Sequence, residues 1–175
     1  MKRNLLLILS TIAFSFTILV IKTWKIADGY IIRFDGKYAH GTFEKLSGDI
    51  QFDPENPLNA KFDVSVDVNS INTGIELKNK HAKSEKWFDA AQFPVIRFVS
   101  TNVSKLDSGY VVNGELEMHG IRKPVSIPFL FKESEGKSLF QGTFKVNRGD
   151  FGIGKTTGKE SDSTSVEVSV PVHAL

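Results

Sequence analysis

Apolar and polar residues alternate along most of this chain, and the alternation defines its elements. Phe62, Val64, Val66 and Val68 are interleaved with Asp63, Ser65, Asp67 and Asn69, so one side of that segment is apolar and the other wet. A period of two marks a half-buried strand, whose successive side chains point to opposite faces. Val125, Ile127, Phe129 and Phe131 repeat it, as do Val166, Val168, Val170 and Val172. Phe140, Gly142, Phe144 and Val146 continue it with a glycine that predicts a bend. Weaker runs lie at Tyr30–Phe34, Thr42–Phe52, Val95–Thr101 and Tyr110–Met118. Turn-forming pairs separate them: Asp35-Gly36, Asp53-Pro54, Ser108-Gly109, His119-Gly120 and Glu135-Gly136. About eight strands with short connections, and no repeating strand–helix–strand unit, predict an all-β antiparallel meander or barrel. Closure into a barrel removes the edges that an open sheet of that size would have to protect.

Two segments break the period. Thr73-Gly-Ile-Glu76 fits a capping box, with Thr73 as N-cap and Glu76 reaching back, and predicts a helix over Thr73–Lys86 that Pro94 stops. It crosses one end of the barrel, with Trp87, Phe88 and Phe93 packing inward and Lys78, Lys80, Lys83 and Lys86 on a solvated face. At the N-terminus, Lys2-Arg3 precede an apolar run from Leu5 to Ile21, broken only by Ser10, Thr11, Ser15 and Thr17. A positive start followed by such a run reads as a helical export signal over residues 1–23, cleaved or retained as a membrane anchor. Residues 24–175 form the single folded domain.

Composition sharpens the picture in three ways. Fourteen phenylalanines against three tyrosines and two tryptophans bring apolar area without polar handles, which suits a deep core or an oily cavity. Without Lys2, Arg3 and Lys22 the 22 basic residues fall to 19 against 20 acidic ones, so the domain is near neutral and nucleic-acid binding has no electrostatic support. The absence of cysteine excludes disulfides, thiolate metal sites and a cysteine nucleophile.

One motif misleads. Gly149-Asp-Phe-Gly-Ile-Gly154-Lys155-Thr156 matches the phosphate-binding pattern G-x-x-x-x-G-K-[ST]. The chemistry of that pattern needs backbone amides wrapping phosphate at the start of a helix. Here the turn-forming stretch 157–164 and a valine-alternating strand follow, which predicts a glycine-rich loop between the last two strands. His40, His81, His119 and His173 have no metal-ligand spacing, and no nucleophile elbow occurs. No metal or cofactor is implied.

Several phrases in order carry a resemblance: Trp24-Lys-Ile26, Gly41-Thr-Phe43, Leu46-Ser-Gly48, Ser70-Ile-Asn-Thr-Gly74, Lys80-His81, Trp87-Phe-Asp89, Phe93-Pro-Val-Ile-Arg-Phe98, His119-Gly120, and Val146-Asn-Arg148 with Asp150-Phe-Gly-Ile153. Across residues 24–175 the chain resembles the YceI-like family of bacterial envelope proteins. The resemblance implies an eight-stranded, lipocalin-like antiparallel barrel with a short helix near one end. It also implies a periplasmic or secreted location, and binding of a polyisoprenoid or other long-chain lipid inside the barrel. Two departures fall where a mouth would be: Lys78-Asn79 stand in place of an Arg-Asp pair found in many members, and Phe34–Gly41 is shortened and lacks the family's usual His-bearing phrase.

The strand register predicts Val64, Val66, Phe98, Leu116, Phe129 and Phe144 as interior, lipid-binding positions. The leading expectation is therefore a lipid-binding module rather than an enzyme, with membrane association through the N-terminal segment. The alternatives are a packed barrel that docks a membrane partner, and an enzyme using Arg148, Asp150 and His81 at one rim. The oligomeric state is open.

Overall fold

The computed structural model describes residues 22–37, 40–134, 137–155 and 162–175. The expected alternation becomes one continuous antiparallel sheet. Its strands are β1 (Thr23–Ile26), β2 (Ile31–Gly36), β3 (His40–Phe43), β4 (Leu46–Gln51), β5 (Lys61–Asp67), β6 (Ile71–Asn72), β7 (Val95–Leu106), β8 (Gly109–Met118), β9 (Ile121–Ser134), β10 (Lys137–Asn147) and β11 (Ser163–Ala174). The spatial order β1-β4-β5-β7-β8-β9-β10-β11 returns to β1, where Trp24 lies opposite Ala174, so eight strand positions close a barrel.

Two of those positions are bent strands. β2 continues the course of β1 along β11, and β3 leads into β4. The second bend is tied by hydrogen bonds. The Tyr30 hydroxyl donates to the Glu44 carbonyl at 3.0 Å and accepts from the Leu46 amide at 3.1 Å. Ser70 Oγ accepts from the Glu44 and Lys45 amides, both at 3.0 Å, so the amides released by the bend stay paired. The strand pairings among the described residues fall within residues 23–174.

The turns follow the predicted dipeptides. Leu106 pairs with Gly109 across Asp107-Ser108, and Met118 pairs with Ile121 across His119-Gly120. His119 and Gly120 have φ of 53° and 73°, the paired left-handed conformation that suits a two-residue hairpin loop. Asp35-Gly36 ends β2, and Glu135-Gly136 lies outside the described residues. Gly142 is where β9 and β10 part: their pairing runs from Ser134/Lys137 to Phe129/Gly142 and stops. Beyond that point β9 pairs only with β8, and β10 only with β11. The missing Cβ matters there, since one on Gly142 would lie 2.8 Å from the Pro128 carbonyl oxygen.

The helix differs from expectation. α1 spans Glu76–Ala82, shorter than Thr73–Lys86, and its N-cap is Ile75 without a side-chain cap. The capping box is replaced by a reverse arrangement, in which Asn79 Oδ1 accepts from the Thr73 amide at 2.8 Å and from Thr73 Oγ1 at 2.7 Å. Past Ala82 the chain turns repeatedly, with Ser84 Oγ donating to the His81 carbonyl at 2.6 Å. Those turns aim Trp87 and Phe88 at the barrel interior, as expected. Phe93 does not join them; it packs on the His119 ring, 4.9 Å between centroids.

Of the expected N-terminal signal or anchor over residues 1–23, residues 1–21 lie outside the described residues, and Thr23 already belongs to β1. Among the described residues no helix is long and apolar enough to cross a membrane.

Candidate lipid tunnel

One end of the barrel is closed by aromatic rings. Phe52, just past β4, is 1% exposed and meets Tyr110, Phe129, Phe131 and Phe140 at centroid distances of 5.0 to 5.5 Å. Its carbonyl accepts a 2.7 Å hydrogen bond from Trp24 Nε1, which satisfies the only polar atom of that indole. Phe62, Phe129 and Phe140 form a triangle, 5.6 to 5.8 Å on a side, that floors the space beyond.

Above this floor the barrel is not filled. A tunnel of about 420 Å³ rises to the opposite end, within the size range of small-molecule sites. The structure places all six predicted interior residues on its lining: Val64, Val66, Phe98, Leu116, Phe129 and Phe144. Phe129 belongs to the floor, while the other five stand along the sides. Phe98 lies flat over Gly114, where any Cβ would come within 2.7 Å of the ring. The sides also include Ile32, Phe34, Phe43 and Ile71, which form a second small core under α1 with Phe88.

The chemistry changes only at the mouth. Among the described residues the ionisable lining groups are Lys37, Lys78, His81 and Arg148, with no carboxylate. Lys78, His81 and Ala82 come from α1, where spacings of three and four put them on one face. Lys78, of the Lys78-Asn79 pair, and Lys37, within the stretch Phe34–Gly41, come from the two segments in which departures are expected from the sequence, and both line the tunnel. Trp87 closes the side of the mouth, with the Arg148 guanidinium 5.6 Å over its ring.

The phosphate-loop lookalike has a structural task here. Arg148–Phe151 form a 3-10 turn after β10, and Phe151 and Ile153 are each 2% exposed. The turn packs against the start of β9, in the space left where β9 and β10 part. Its amides are spent internally: Gly149 on Asn147 Oδ1, Gly152 on the Gly149 carbonyl and Ile153 on the Arg148 carbonyl. The Arg148 side chain clamps the loop by donating to the Ile153 and Lys155 carbonyls and to the fully buried Asp162, at 2.8 to 2.9 Å. His119 Nδ1 faces the Phe151 carbonyl at 3.0 Å, a contact that requires the Nδ1-protonated tautomer. Arg148 thus holds the loop through its guanidinium while sharing the tunnel lining with His81, and Asp150 is not among the lining residues. Among the described residues no group of three His, Cys, Asp or Glu side chains is placed to hold a metal.

The YceI-like domain family matches residues 24–174. The chain belongs to the YceI-like family. Among its relatives are UPF0312 proteins of Pseudomonas fluorescens, 35% identical over 142 residues (74% of this chain, 71% of the relative), and of Pseudomonas putida, 33% identical over 156 residues (84% and 77%). The YceI-like fold is shared with solved structures. Burkholderia cenocepacia BcnA superposes with a TM-score of 0.76 at 23% identity, covering 81% of this chain and 95% of that one. A domain of Saccharophagus degradans, described as polyisoprenoid binding, superposes with a TM-score of 0.62 at 15% identity, covering 89% and 100%.

Proposed function

We propose that this YceI-like protein holds one long-chain apolar lipid, a polyisoprenoid or similar chain, with its tail on the aromatic floor and its polar end at the α1 rim. The observation that carries the reading is the unfilled tunnel: its described lining is dominated by apolar and aromatic side chains, and its ionisable members are Lys37, Lys78, His81 and Arg148. Eight-stranded barrels are either filled by side chains or hold a small ligand, and this interior leaves about 420 Å³ for the second option. Each methylene buried there contributes about 0.8 kcal/mol, so a partly enclosed chain binds without any buried charge pair. The Saccharophagus domain, described as polyisoprenoid binding, lends support to this choice of ligand. A barrel packed solid, serving only as a docking body, would leave no such space.

Val66→Trp tests the reading. The added ring occupies tunnel volume beside Leu46 and Ile96, the cross-strand neighbours of Val66. Lipid extracted from the purified protein is expected to fall several-fold while the melting temperature stays within a few degrees. A loss of about 1–3 kcal/mol with no lipid in the wild type is the signature of a packed core and rejects the proposal.

The reading includes export to the bacterial envelope, supported by Lys2-Arg3 and the apolar run to Ile21. The mature mass is expected to begin close to residues 20–24, or else the intact chain stays in washed membranes. Protein confined to the cytosol contradicts both forms.

A further inference from the structure

The end of the barrel that opens is also where apolar side chains stand exposed among the lysines of α1 and the turns that follow it. Ile75 and Leu77 flank the start of α1 and are 48% and 63% exposed, and neither lines the tunnel. With Lys78, His81 and Ala82 on the tunnel side, Leu77 and Lys80 share another flank of the helix, three residues apart. Residues 73–87 carry Lys78, Lys80, Lys83, Lys86 and His81 against Glu76 and Glu85, and Lys37 joins them across the mouth.

The ion pairs of the described residues lie elsewhere: on the barrel wall, at the Arg148 loop, and at the closed end between Lys22 and Asp53. None involves Lys78, Lys80, Lys83 or Lys86. The closed end is different. Its exposed Leu58 and Leu106 have both signs as sequence neighbours, Lys61 and Lys105 beside Asp53, Glu55 and Asp107, which leaves no excess of positive charge there. Apolar side chains beside lysines are the composition of an interfacial segment, in which the apolar groups enter the head-group layer and the lysines meet lipid phosphates.

We infer that the α1 rim is a docking surface for an anionic lipid bilayer, with Ile75 and Leu77 inserted and Lys80 and Lys86 on the phosphates. Docked this way, the tunnel mouth lies flush with the surface, and a lipid passes between bilayer and barrel without its tail crossing water. The route rests on the lipid-binding reading, whereas the docking stands on the rim alone. Lys22, the first described residue, is bonded at the closed end, so a protein beginning at Lys22 tests the rim without residues 1–21.

The experiment is flotation of residues 22–175 with vesicles of mixed phosphatidylglycerol and phosphatidylcholine, against vesicles of phosphatidylcholine alone. Binding is expected only to the anionic vesicles and is weakened by salt. Lys80→Gln with Lys86→Gln is expected to lower the partition coefficient about thirtyfold. Ile75→Ser with Leu77→Ser is expected to lower it about tenfold or more, with unchanged melting temperature. Equal binding to neutral vesicles, or anionic binding that survives both double substitutions, overturns the inference. So does a rim that forms dimers lost on Ile75→Ser with Leu77→Ser but never partitions into vesicles. Extracted lipid separates the two claims, because none of the four substituted residues lines the tunnel. Lipid present without vesicle docking rejects this inference alone, and docking by a protein that holds no lipid rejects the tunnel reading alone.

Discussion

Asp63 and Arg97 face each other on the outside of the barrel, Nε to Oδ1 at 2.8 Å and Nη2 to Oδ2 at 2.6 Å. The hydrogen bonds from Arg97, helped by its positive charge, hold the Asp63 carboxyl below its usual range, against the opposing effect of burial. A carboxylate whose folded pKa is depressed contributes stability above its unfolded value, about 3.9, and loses it as pH falls through the folded value. Both side chains are about half exposed, so the contribution is modest. Asp63→Asn is expected to cost at most about 1 kcal/mol at pH 7, with the difference from wild type fading below about pH 4. Denaturant melts at the two pH values check it. Single residues on this face were legible in the sequence, because Asp63 and Arg97 fall at polar positions of their strands. The bond that Thr73 donates to Asn79 Oδ1 was not, since the spacing Thr73…Glu76 matches a capping box and only the fold shows which side chain reaches back.

Among the elements, β7 shows why one run reads weakly. Phe98 and Val103 both point inward, although an even spacing of two cannot join positions 98 and 103. The register shift between Ser100 and Asn102 inserts one residue and flips the parity, so the alternation is broken where the sheet needs curvature. β5, β10 and β11 carry no such bulge in their long pairings and were readable directly. α1 is shorter than its charged sequence suggests because Trp87 and Phe88 must leave the helix to reach the tunnel. The floor and the walls are also distinct elements in energy. Phe52 is enclosed by rings on four sides, so Phe52→Ala is expected to cost about 3–5 kcal/mol. Phe144, half-buried on the wall, faces tunnel space and leaves less of a new cavity when truncated, so Phe144→Ala is expected to cost less than half as much. Comparable losses for the two, measured by urea unfolding, mean that the interior is packed throughout.

For the molecule as a whole, alternation and turn chemistry suffice to predict an antiparallel barrel, because both are local. Whether the barrel is filled is not local. It depends on how far Phe52, Phe62, Phe129 and Phe140 draw together at one end and leave the other end to Val64, Val66 and Phe144. The mouth was only half legible for the same reason: Lys37, Lys78, His81 and Arg148 are scattered over more than a hundred residues and meet only when the strands close. Native mass spectrometry of the protein purified from its own cells without detergent tests the lipid tunnel most directly. The account predicts one hydrophobic molecule per barrel, released by organic solvent and largely missing from Val66→Trp. A wild-type protein whose mass is that of the bare chain, and which takes up no added long-chain lipid, contradicts it.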